Sequence, residues 1–334
     1  MPRPVILGVV GDSGAGKTTI TRGLVGILGE EQVTAVSTDD YHRYDRAQRA
    51  EREITPLHPD CNYVDILSQH LGLMRSGEPI LKPVYQHKDG TFGPPVYVRP
   101  NPFTVVEGLL GYHTEDMRGC YDLRVYLAPP EELRRRWKSQ RDTSKRGYQD
   151  EEVLAELDRR EPDSAQFIRP QERHADMVVC FSEAEGGDPF ALDAEMLLRD
   201  SLPQPDLSPL IGTGERGITI DEGDSERRVS IAGDLEGEQA AEIEEAIWEK
   251  LHFASHLRSE ALGEVRIGEE VHHSDSLGVV QLVILYHMVT AKAAVALGSE
   301  GQRAEAEAQG EDDKDPKDQA SKPDPSQDPA AVES

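Results

Sequence analysis

Basic residues, cysteines and aromatic side chains are all scarce in this chain. Its 334 residues contain 36 Lys and Arg against 63 Asp and Glu, which gives a formal net charge of −27. A surface of this charge repels phosphate backbones and argues against nucleic-acid binding, so an anionic ligand needs a local cluster of basic side chains and backbone N–H groups. The three cysteines, Cys61, Cys120 and Cys180, are too few and too dispersed for a disulfide framework or a cysteine-based zinc site.

Long apolar runs are also missing. The longest apolar stretch, residues 277–297, is interrupted by Gln281, His287 and Lys292. These polar residues predict a buried amphipathic helix rather than a membrane span. The amino-terminal residues carry no small-residue cleavage site of the kind that follows a signal peptide. We therefore expect a cytoplasmic protein with no membrane partner.

Short apolar segments alternate with segments of helical periodicity through the first half of the chain. The predicted strands are residues 4–10, 33–36, 103–106, 123–127 and 177–181. The predicted helices are residues 18–28, 64–74, 131–146 and 150–160. Residues 77–102 are dense in proline, glycine and aromatics and read as a loop with β character. The alternation predicts an α/β fold with a mostly parallel sheet flanked by helices.

The composition changes after about residue 186. Residues 218–235 alternate like an antiparallel β pair, and residues 239–251 and 277–297 read as helices. From residue 299 there are no aromatics and acidic residues outnumber basic ones by 11 to 4, which predicts a disordered acidic tail. The predicted organisation is an α/β domain at 1–186, a smaller α+β extension packed on it at 187–298, and the tail at 299–334.

A glycine-rich loop lies between the first predicted strand and the first predicted helix. It fits G-x-x-x-x-G-K-[ST] without a gap, in the strand–loop–helix context that this phosphate-binding motif requires. Its glycines let backbone N–H groups turn towards an anion, Lys17 reaches the β- and γ-phosphates, and Thr18 offers its hydroxyl to Mg²⁺. The predicted nucleotide-binding residues of this loop are Gly11, Asp12, Ser13, Gly14, Ala15, Gly16, Lys17, Thr18 and Thr19.

Carboxylates follow two other predicted strands. Asp39 and Asp40 come after the second strand, and Glu107 comes after the third. In open α/β sheets the ligand crevice lies beyond the carboxyl ends of the strands, so one carboxylate can accept a proton from an attacking hydroxyl and another can hold a metal ion. Turn or capping acids are the alternative for these positions. The chain has no N-K-x-D guanine-recognition motif, which favours direct phosphoryl transfer to a small hydroxyl compound.

A basic cluster falls within a predicted helix of this acidic chain. Lys138, Arg141, Asp142 and Lys145 share one face at three- and four-residue spacing. Such a face can bind an anion. It can equally be a solvated helix surface held by salt bridges, and the spacing alone leaves both interpretations open.

Five segments together carry a resemblance to a known family. They read GDSGAGKTT, TDDYHRYDRAQR, KPVYQH, VVEGLL and KSQRD-x-x-x-RGY, in this order between residues 5 and 179. The chain resembles the phosphoribulokinase/uridine kinase family, with its P-loop NTPase-type fold, and within it the plant and cyanobacterial phosphoribulokinases. The resemblance implies a homodimeric enzyme that uses ATP and Mg²⁺ to phosphorylate the O1 hydroxyl of ribulose 5-phosphate in the Calvin cycle.

The resemblance also implies a role for each matching residue. Asp39 is then the general base that deprotonates the O1 hydroxyl, Lys17 and Lys138 contact the transferring phosphate, and Glu107 faces Mg²⁺. Lys138 also contacts the sugar phosphate. The other implied sugar-phosphate ligands are His42, Arg46, Tyr85 and His87. Further implied residues are Asp142, a second essential carboxylate near the metal, and Arg141 and Arg146, which position nucleotide or substrate charge.

The chain departs from the family pattern at several positions. Ala15 and Ser37 stand where plant-type members carry a regulatory cysteine pair, so thioredoxin switching through that pair is not expected. Leu110 replaces a histidine that often follows the third strand. Two alternatives stay open: a uridine or other small-metabolite kinase, and a nucleotide-binding regulator that uses the acidic tail for partners.

Overall fold

The computed structural model describes residues 3–146, 149–184, 190–201, 205–211, 217–235, 237–250, 262–267 and 270–312. The strands in these residues are β1 Val5–Gly11, β2 Val33–Ser37, β3 Ile80–Gln86, β4 Thr91–Val98, β5 Phe103–Gly108, β6 Leu123–Leu127, β7 Met177–Glu183, β8 Leu192–Arg199, β9 Ile218–Glu222, β10 Glu226–Ile231, β11 Glu264–Ile267 and β12 Glu270–His273. The α-helices are α1 Lys17–Leu28, α2 Arg46–Glu51, α3 Val64–Arg75, α4 Glu115–Arg118, α5 Glu131–Arg146, α6 Asp150–Asp163, α7 Ser208–Ile211, α8 Gly237–Lys250 and α9 Asp275–Asp312.

One sheet of eight strands runs through the described part of the chain in the order β2-β5-β1-β6-β7-β8-β10-β9. The first five of these strands are mutually parallel. Their residues are mostly β-branched or leucine, and β1 is buried along its whole length, as expected for strands covered on both faces. The mostly parallel α/β sheet predicted from the sequence is therefore confirmed.

Helices cover both faces of the parallel strands. Val5, Leu7 and Val9 of β1 pack into a core shared with α1 and α9, whereas Ile6 and Val10 face a second core that includes α3. Alternate side chains of one strand thus belong to two different layers. The arrangement places the carboxyl ends of β1, β2 and β5 side by side at one edge of the sheet.

The carboxyl-terminal strands extend this same sheet. Strand β8 pairs antiparallel with β7, and β10 and β9 follow as a further antiparallel pair. The antiparallel pair predicted within 218–235 is present, but β8, which joins it to the parallel strands, was not recognised in the sequence. The predicted boundary at residue 186 falls among residues 185–189, which lie outside the described residues, so the division into domains stays a prediction.

Helix α9 is the apolar helix expected at 277–297. Its residues 275–298 are long and apolar enough to cross a membrane, yet 56% of the apolar window is buried inside the protein. Val280, Leu282 and Leu285 are fully buried in the core shared with β1, so packing accounts for the apolar composition. The helix continues to Asp312, whereas the sequence predicted a disordered tail from residue 299. Residues 313–334 lie outside the described part of the chain.

Residues 77–102 form a two-stranded antiparallel hairpin, β3 and β4, rather than a loop. Its register shifts between Lys82 and Val84, around Pro83, because proline has no N–H to donate to the ladder. The hairpin contacts the short 3₁₀ helix Thr38–Tyr41 that follows β2. It therefore brings a second wall to the carboxyl end of the sheet.

Candidate active site

The phosphate loop connects β1 to α1. Gly14 and Gly16 have φ values of 90° and 94°, which are accessible to glycine at little cost, and α1 begins at Lys17 with no acidic residue in its first turn. The Lys17 ammonium donates to the carbonyl oxygens of Gly11 and Asp12, at 2.8 Å each. Burial lowers the pKa of Lys17, and Asp39 and Glu107 oppose that shift. The loop thus presents a helix N-terminus and a half-buried cation to an anionic ligand.

Thr18 and Glu107 meet beside the loop. The Thr18 hydroxyl lies 3.3 Å from Glu107 Oε1, while Glu107 Oε2 is buried with no hydrogen-bond partner in the described structure. Burial raises the pKa of Glu107, and the Lys17 charge opposes it. A buried carboxylate oxygen without a donor, next to a hydroxyl, fits the oxygen ligands that Mg²⁺ takes in nucleotide sites. Among the described residues, Thr18 and Glu107 thus offer oxygen ligands for the ion, whereas Asp142, the third predicted metal ligand, is paired with Lys138 and Arg141.

The neighbouring Asp39 and Asp40 point to different surroundings. Asp40 forms an ion pair with Lys82 and accepts a hydrogen bond from the backbone N–H of Tyr85 at 2.8 Å, so it fastens the hairpin to the end of β2. Asp39 faces the cleft, and its carboxylate lies 3.8 Å from His87 Nε2. Its burial raises the pKa, but His42, His87 and Lys17 together hold the pKa of Asp39 below its ordinary value. Asp39 is therefore an ionised carboxylate at neutral pH.

His42 is held in one tautomer by its neighbour Asn62. The Asn62 amide nitrogen donates to the carbonyls of Pro56 and His58, at 3.0 and 2.9 Å, which fixes its oxygen towards His42. His42 Nδ1 therefore donates to Asn62 Oδ1, at 2.7 Å. Burial lowers the pKa of His42 despite the nearby Asp39, which favours a neutral ring.

Aromatic and cationic side chains from two segments converge on Tyr85. His42 and His87 meet the Tyr85 ring edge-on, with centroids 4.9 and 5.1 Å away. Arg49 donates to the Tyr85 hydroxyl at 2.6 Å, and Arg46 donates to the His87 carbonyl at 2.6 Å. The hairpin and the segment after β2 thus form one joined wall.

The sequence analysis identified four of these five residues and missed Arg49, as well as Asn62. Arg49 stands inside the quoted segment TDDYHRYDRAQR, one turn of α2 beyond Arg46, and this spacing was the available signal.

Helix α5 brings the basic cluster to the phosphate loop. Lys138 and Asp142 are both buried and form an ion pair at 2.7 Å, and Arg141 donates to Asp142 at 2.9 Å. Burial and the Arg141 charge lower the pKa of Lys138 to about 8. Burial opposes the ionised form of Asp142, but Lys138 and Arg141 lower its pKa to about 2. A buried, paired cation–anion cluster contradicts the interpretation as a solvated helix face.

The predicted residue Arg146 ends α5, and its side chain lies outside the described residues. The helix packs against the phosphate loop at Gly14, where an added Cβ would lie 2.9 Å from Lys138 Cβ. Lys138 is thereby fixed to the same loop as Lys17, although 121 residues separate them in sequence.

Leu110, which replaces the family histidine, lies at the bottom of a cleft. Thr38, Asp39, Asn62 and Leu110 are among the residues that line it. Leu110 is buried in a small apolar cluster with Leu57, Leu109 and Ile168. This part of the cleft therefore offers apolar surface where a histidine would offer a hydrogen bond.

The parallel sheet and the phosphate loop define a P-loop nucleotide-binding protein. A model of the phosphoribulokinase/uridine kinase family matches residues 6–184, and the chain belongs to that family.

Three known proteins illustrate the similarity. The phosphoribulokinase of Synechocystis sp. is 41% identical over 179 residues, which are 54% of this chain and 54% of that protein. The uridine kinase of Latilactobacillus sakei is 30% identical over 188 residues, 55% of this chain and 87% of that protein. The solved phosphoribulokinase of Rhodobacter spheroides shares the fold, with a TM-score of 0.54 and 18% identity over 76% of this chain and 99% of its own. The chain spans about half the length of the curated phosphoribulokinases that it matches.

Proposed function

We propose that this protein transfers the γ-phosphoryl group of ATP to the O1 hydroxyl of ribulose 5-phosphate, giving ribulose 1,5-bisphosphate and ADP. The observation that carries the proposal is the position of Asp39, which follows β2 at the carboxyl end of the sheet and lines the cleft, with its carboxylate 3.8 Å from His87 Nε2. The 41% identity to a phosphoribulokinase supports the choice of reaction. Over a similar share of the chain, the identity to a uridine kinase is 30%.

The donor side is the phosphate loop. Its backbone N–H groups, Lys17 and the N-terminus of α1 bind the phosphates of ATP. Thr18 and Glu107 hold Mg²⁺, and the ion, when bound, neutralises phosphate charge. Lys138 and Arg141 lie on α5, which packs against the loop at Gly14, and they stabilise the negative charge of the transferring group. Asp142 keeps both cations in place through its two ion pairs.

The acceptor side is the wall formed by the hairpin and the segment after β2. A substrate that already carries a phosphate needs cationic donors, preferably the planar fork of arginine. Arg46 supplies such a donor in a chain whose net charge is −27, and His87 lies beside it. His42 and Tyr85 contact the sugar hydroxyls. A nucleoside needs an aromatic slot with amide groups for its base, and the wall offers charge instead.

The chemistry is a direct displacement. The O1 hydroxyl gives its proton to the Asp39 carboxylate as its oxygen bonds to the γ-phosphorus, and the bond from that phosphorus to ADP breaks. Because the transition state has little covalent demand, alignment and charge neutralisation by Lys17 and Lys138 provide most of the rate. A uridine kinase of the same family is the competing function.

The test is ADP release by the purified protein with ATP and Mg²⁺, with ribulose 5-phosphate, ribose 5-phosphate, uridine or no acceptor in parallel reactions. We expect selective turnover with ribulose 5-phosphate that is lost when EDTA removes Mg²⁺. Turnover with uridine alone contradicts the acceptor assignment and keeps the donor site. Equal ADP release without any acceptor contradicts the kinase assignment.

The homodimer implied by the family resemblance and a cytoplasmic location remain predictions. Light scattering of the purified protein checks the first, and fractionation of cells that express it checks the second.

A further inference from the structure

Two adjacent residues at the end of α6 make contacts with two different walls of the cleft. Asp163 Oδ2 accepts a hydrogen bond from the Thr55 hydroxyl at 2.6 Å. The next residue, Ser164, donates from its hydroxyl to Asp12 Oδ2 in the phosphate loop. Ser164 is 1% exposed, and Asp12 and Thr55 are each 7% exposed. These contacts, from Thr55 through Asp163 and Ser164 to Asp12, are called the α6 bridge below.

At its first end the bridge reaches the backbone of the phosphate loop. Asp12 Oδ1 accepts a hydrogen bond from the Ser13 N–H at 2.8 Å, and Arg134 of α5 donates to the Ser13 carbonyl at 2.7 Å. The Asp12 carboxylate therefore orients the Ser13 peptide unit of the loop, and Arg134 and Arg169 lie 3.8 and 4.0 Å from it. A shift of Ser164 acts directly on that carboxylate.

At its second end the bridge reaches His42. Thr55 also accepts a hydrogen bond from the N–H of Leu57, at 3.1 Å, which fixes the turn that contains Pro56. The Pro56 carbonyl accepts from Asn62, and Asn62 holds the His42 ring. The bridge thus connects to the acceptor wall through a short series of buried hydrogen bonds.

The local helix geometry explains how one short segment reaches both walls. Consecutive residues of a helix project about 100° apart, so Asp163 and Ser164 face different directions. Pro162 lies within α6, and the helix changes to a π-helix at Ser164–Ile168. A change of this type is common at functional sites, where it re-aims side chains.

We propose that Asp163 and Ser164 are positioning residues that set the separation between the phosphate loop and the acceptor wall. Neither residue touches a reacting atom in this assignment; each acts through Asp12 or Thr55. A misplacement of about 1 Å can reduce the rate of a reaction about 100-fold. Removing the bridge therefore lowers kcat more than it weakens the binding of either substrate. The inference rests on the proposed function, since it requires two substrates that meet across the cleft.

The experiment is a double-mutant cycle on kcat with Thr55→Val, Ser164→Ala and the double variant. Cutting either end removes the whole link, so we expect each single variant to lose about tenfold or more in kcat, and the double variant to lose no more than the worse single one. The KM values for ATP and the acceptor stay within about threefold. Thr55→Ser keeps the hydroxyl and restores kcat, and Asp163→Ala, which removes the acceptor, replaces Thr55→Val in the cycle if the valine variant does not fold.

Two buried hydroxyls away from the cleft provide matched controls. Ser276 is also 1% exposed and donates to the Leu192 carbonyl at 2.5 Å, so Ser276→Ala matches Ser164→Ala. Thr34 is 7% exposed, accepts from the Asn101 N–H and donates to the Arg99 carbonyl, so Thr34→Val matches Thr55→Val. We expect both controls to lower the melting temperature while kcat stays at the wild-type value.

Three results contradict the proposed role of the α6 bridge. The first is a loss of kcat in the double variant equal to the product of the two single losses. The others are a single variant with unchanged kcat, and control variants that lower kcat as much as the bridge variants do. If the wild type turns over uridine instead of ribulose 5-phosphate, the cycle is measured with uridine and the same criteria apply. Absence of turnover by the wild type with every acceptor contradicts the proposed function itself, and the bridge with it.

Discussion

At the scale of single residues, the neighbouring Asp39 and Asp40 differ in their contacts and therefore in what they can do. Asp40 is paired with Lys82 and with the backbone of Tyr85, so its carboxylate is committed to holding the hairpin. The Asp39 carboxylate lies at a longer distance, 3.8 Å, from His87 Nε2 and faces the cleft. A carboxylate that stays ionised and reachable can accept a proton, whereas a carboxylate enclosed by a lysine and an N–H cannot do so without breaking those contacts.

We therefore expect Asp39→Asn and Asp40→Asn to differ in kind. Asp39→Asn removes the base and lowers kcat by about 10²–10⁴, with the KM for ATP nearly unchanged. Asp40→Asn weakens the fastening of the hairpin and raises the KM for the acceptor several-fold, with a smaller effect on kcat. Steady-state kinetics of both variants checks this difference. Equal loss of kcat in the two variants contradicts the assignment of Asp39 as the base.

How far the sequence predicts a site residue depends on how its partners are spaced along the chain. The phosphate loop is contiguous, so its motif places Lys17 and Thr18 without a tertiary structure. Asn62 and Ser164 were not identified because their partners, His42 and Asp12, lie 20 and 152 residues away. No local sequence pattern connects the members of such pairs, which come together only in the folded chain. The family resemblance supplied His42, Arg46, Tyr85 and His87, whose spacing carries no periodic signal.

At the scale of elements, the close packing of α5 on the phosphate loop requires a glycine at position 14. Gly14 has a φ of 90°, and an added Cβ would lie 2.9 Å from Lys138 Cβ and 3.2 Å from the Arg134 carbonyl. Neither the helix backbone nor the first carbon of a lysine side chain moves easily. The loop and the helix can keep this approach only without a side chain between them.

Gly14→Ala is therefore expected to raise the KM for ATP by about tenfold or more, since backbone strain and the steric conflict cost about 1–3 kcal/mol. Gly72→Ala in α3 is the matched control, because no atom lies within 4 Å of its added Cβ. That control should gain about 0.5–1 kcal/mol of stability. ATP titrations and melting curves of both variants check the pair. An unchanged KM in Gly14→Ala contradicts the role given to the packing of α5.

The same scale shows why β8 escaped the sequence analysis. The residues of β8 alternate between buried and half-buried or exposed positions. The strand includes Asp193 and Glu195, which have low strand propensity, and it comes directly after a segment rich in glycine and acidic residues. The pairing with β7 and β10 fixes it as a strand. The helices that flank the parallel strands were recognised in the sequence because their apolar residues keep a period of 3.6 over three or more turns.

At the scale of the whole molecule, α9 completes the core of the nucleotide-binding part. Leu282, Val283, Ile284, Leu285 and Met288 are fully buried together with residues of β1. Each such side chain contributes about 1.5–3 kcal/mol through burial. Their sum is comparable with the total stability of a typical protein, about 5–15 kcal/mol.

Two truncations test this dependence. A chain that ends after residue 274 loses α9, and we expect it to be unfolded or insoluble and to release no ADP. A chain that ends at Asp312 keeps α9 whole and should match the full chain in kcat and melting temperature, because the removed residues are polar and acidic. Circular dichroism and ADP release check both. Normal activity in the shorter chain contradicts the role of α9 in the core.

The contact between α9 and β1 also has a consequence for folding during synthesis, because the two elements are far apart in the chain. Strand β1, which leads into the phosphate loop, is synthesised some 270 residues before α9, which together with α1 covers one of its faces. At about 5–20 residues per second, the α9 part of this cover is missing for roughly 15 to 55 seconds. During this interval Val5, Leu7 and Val9 can pack against α1 but not against α9. The nascent chain therefore passes through a period in which this apolar face of the sheet is only partly covered.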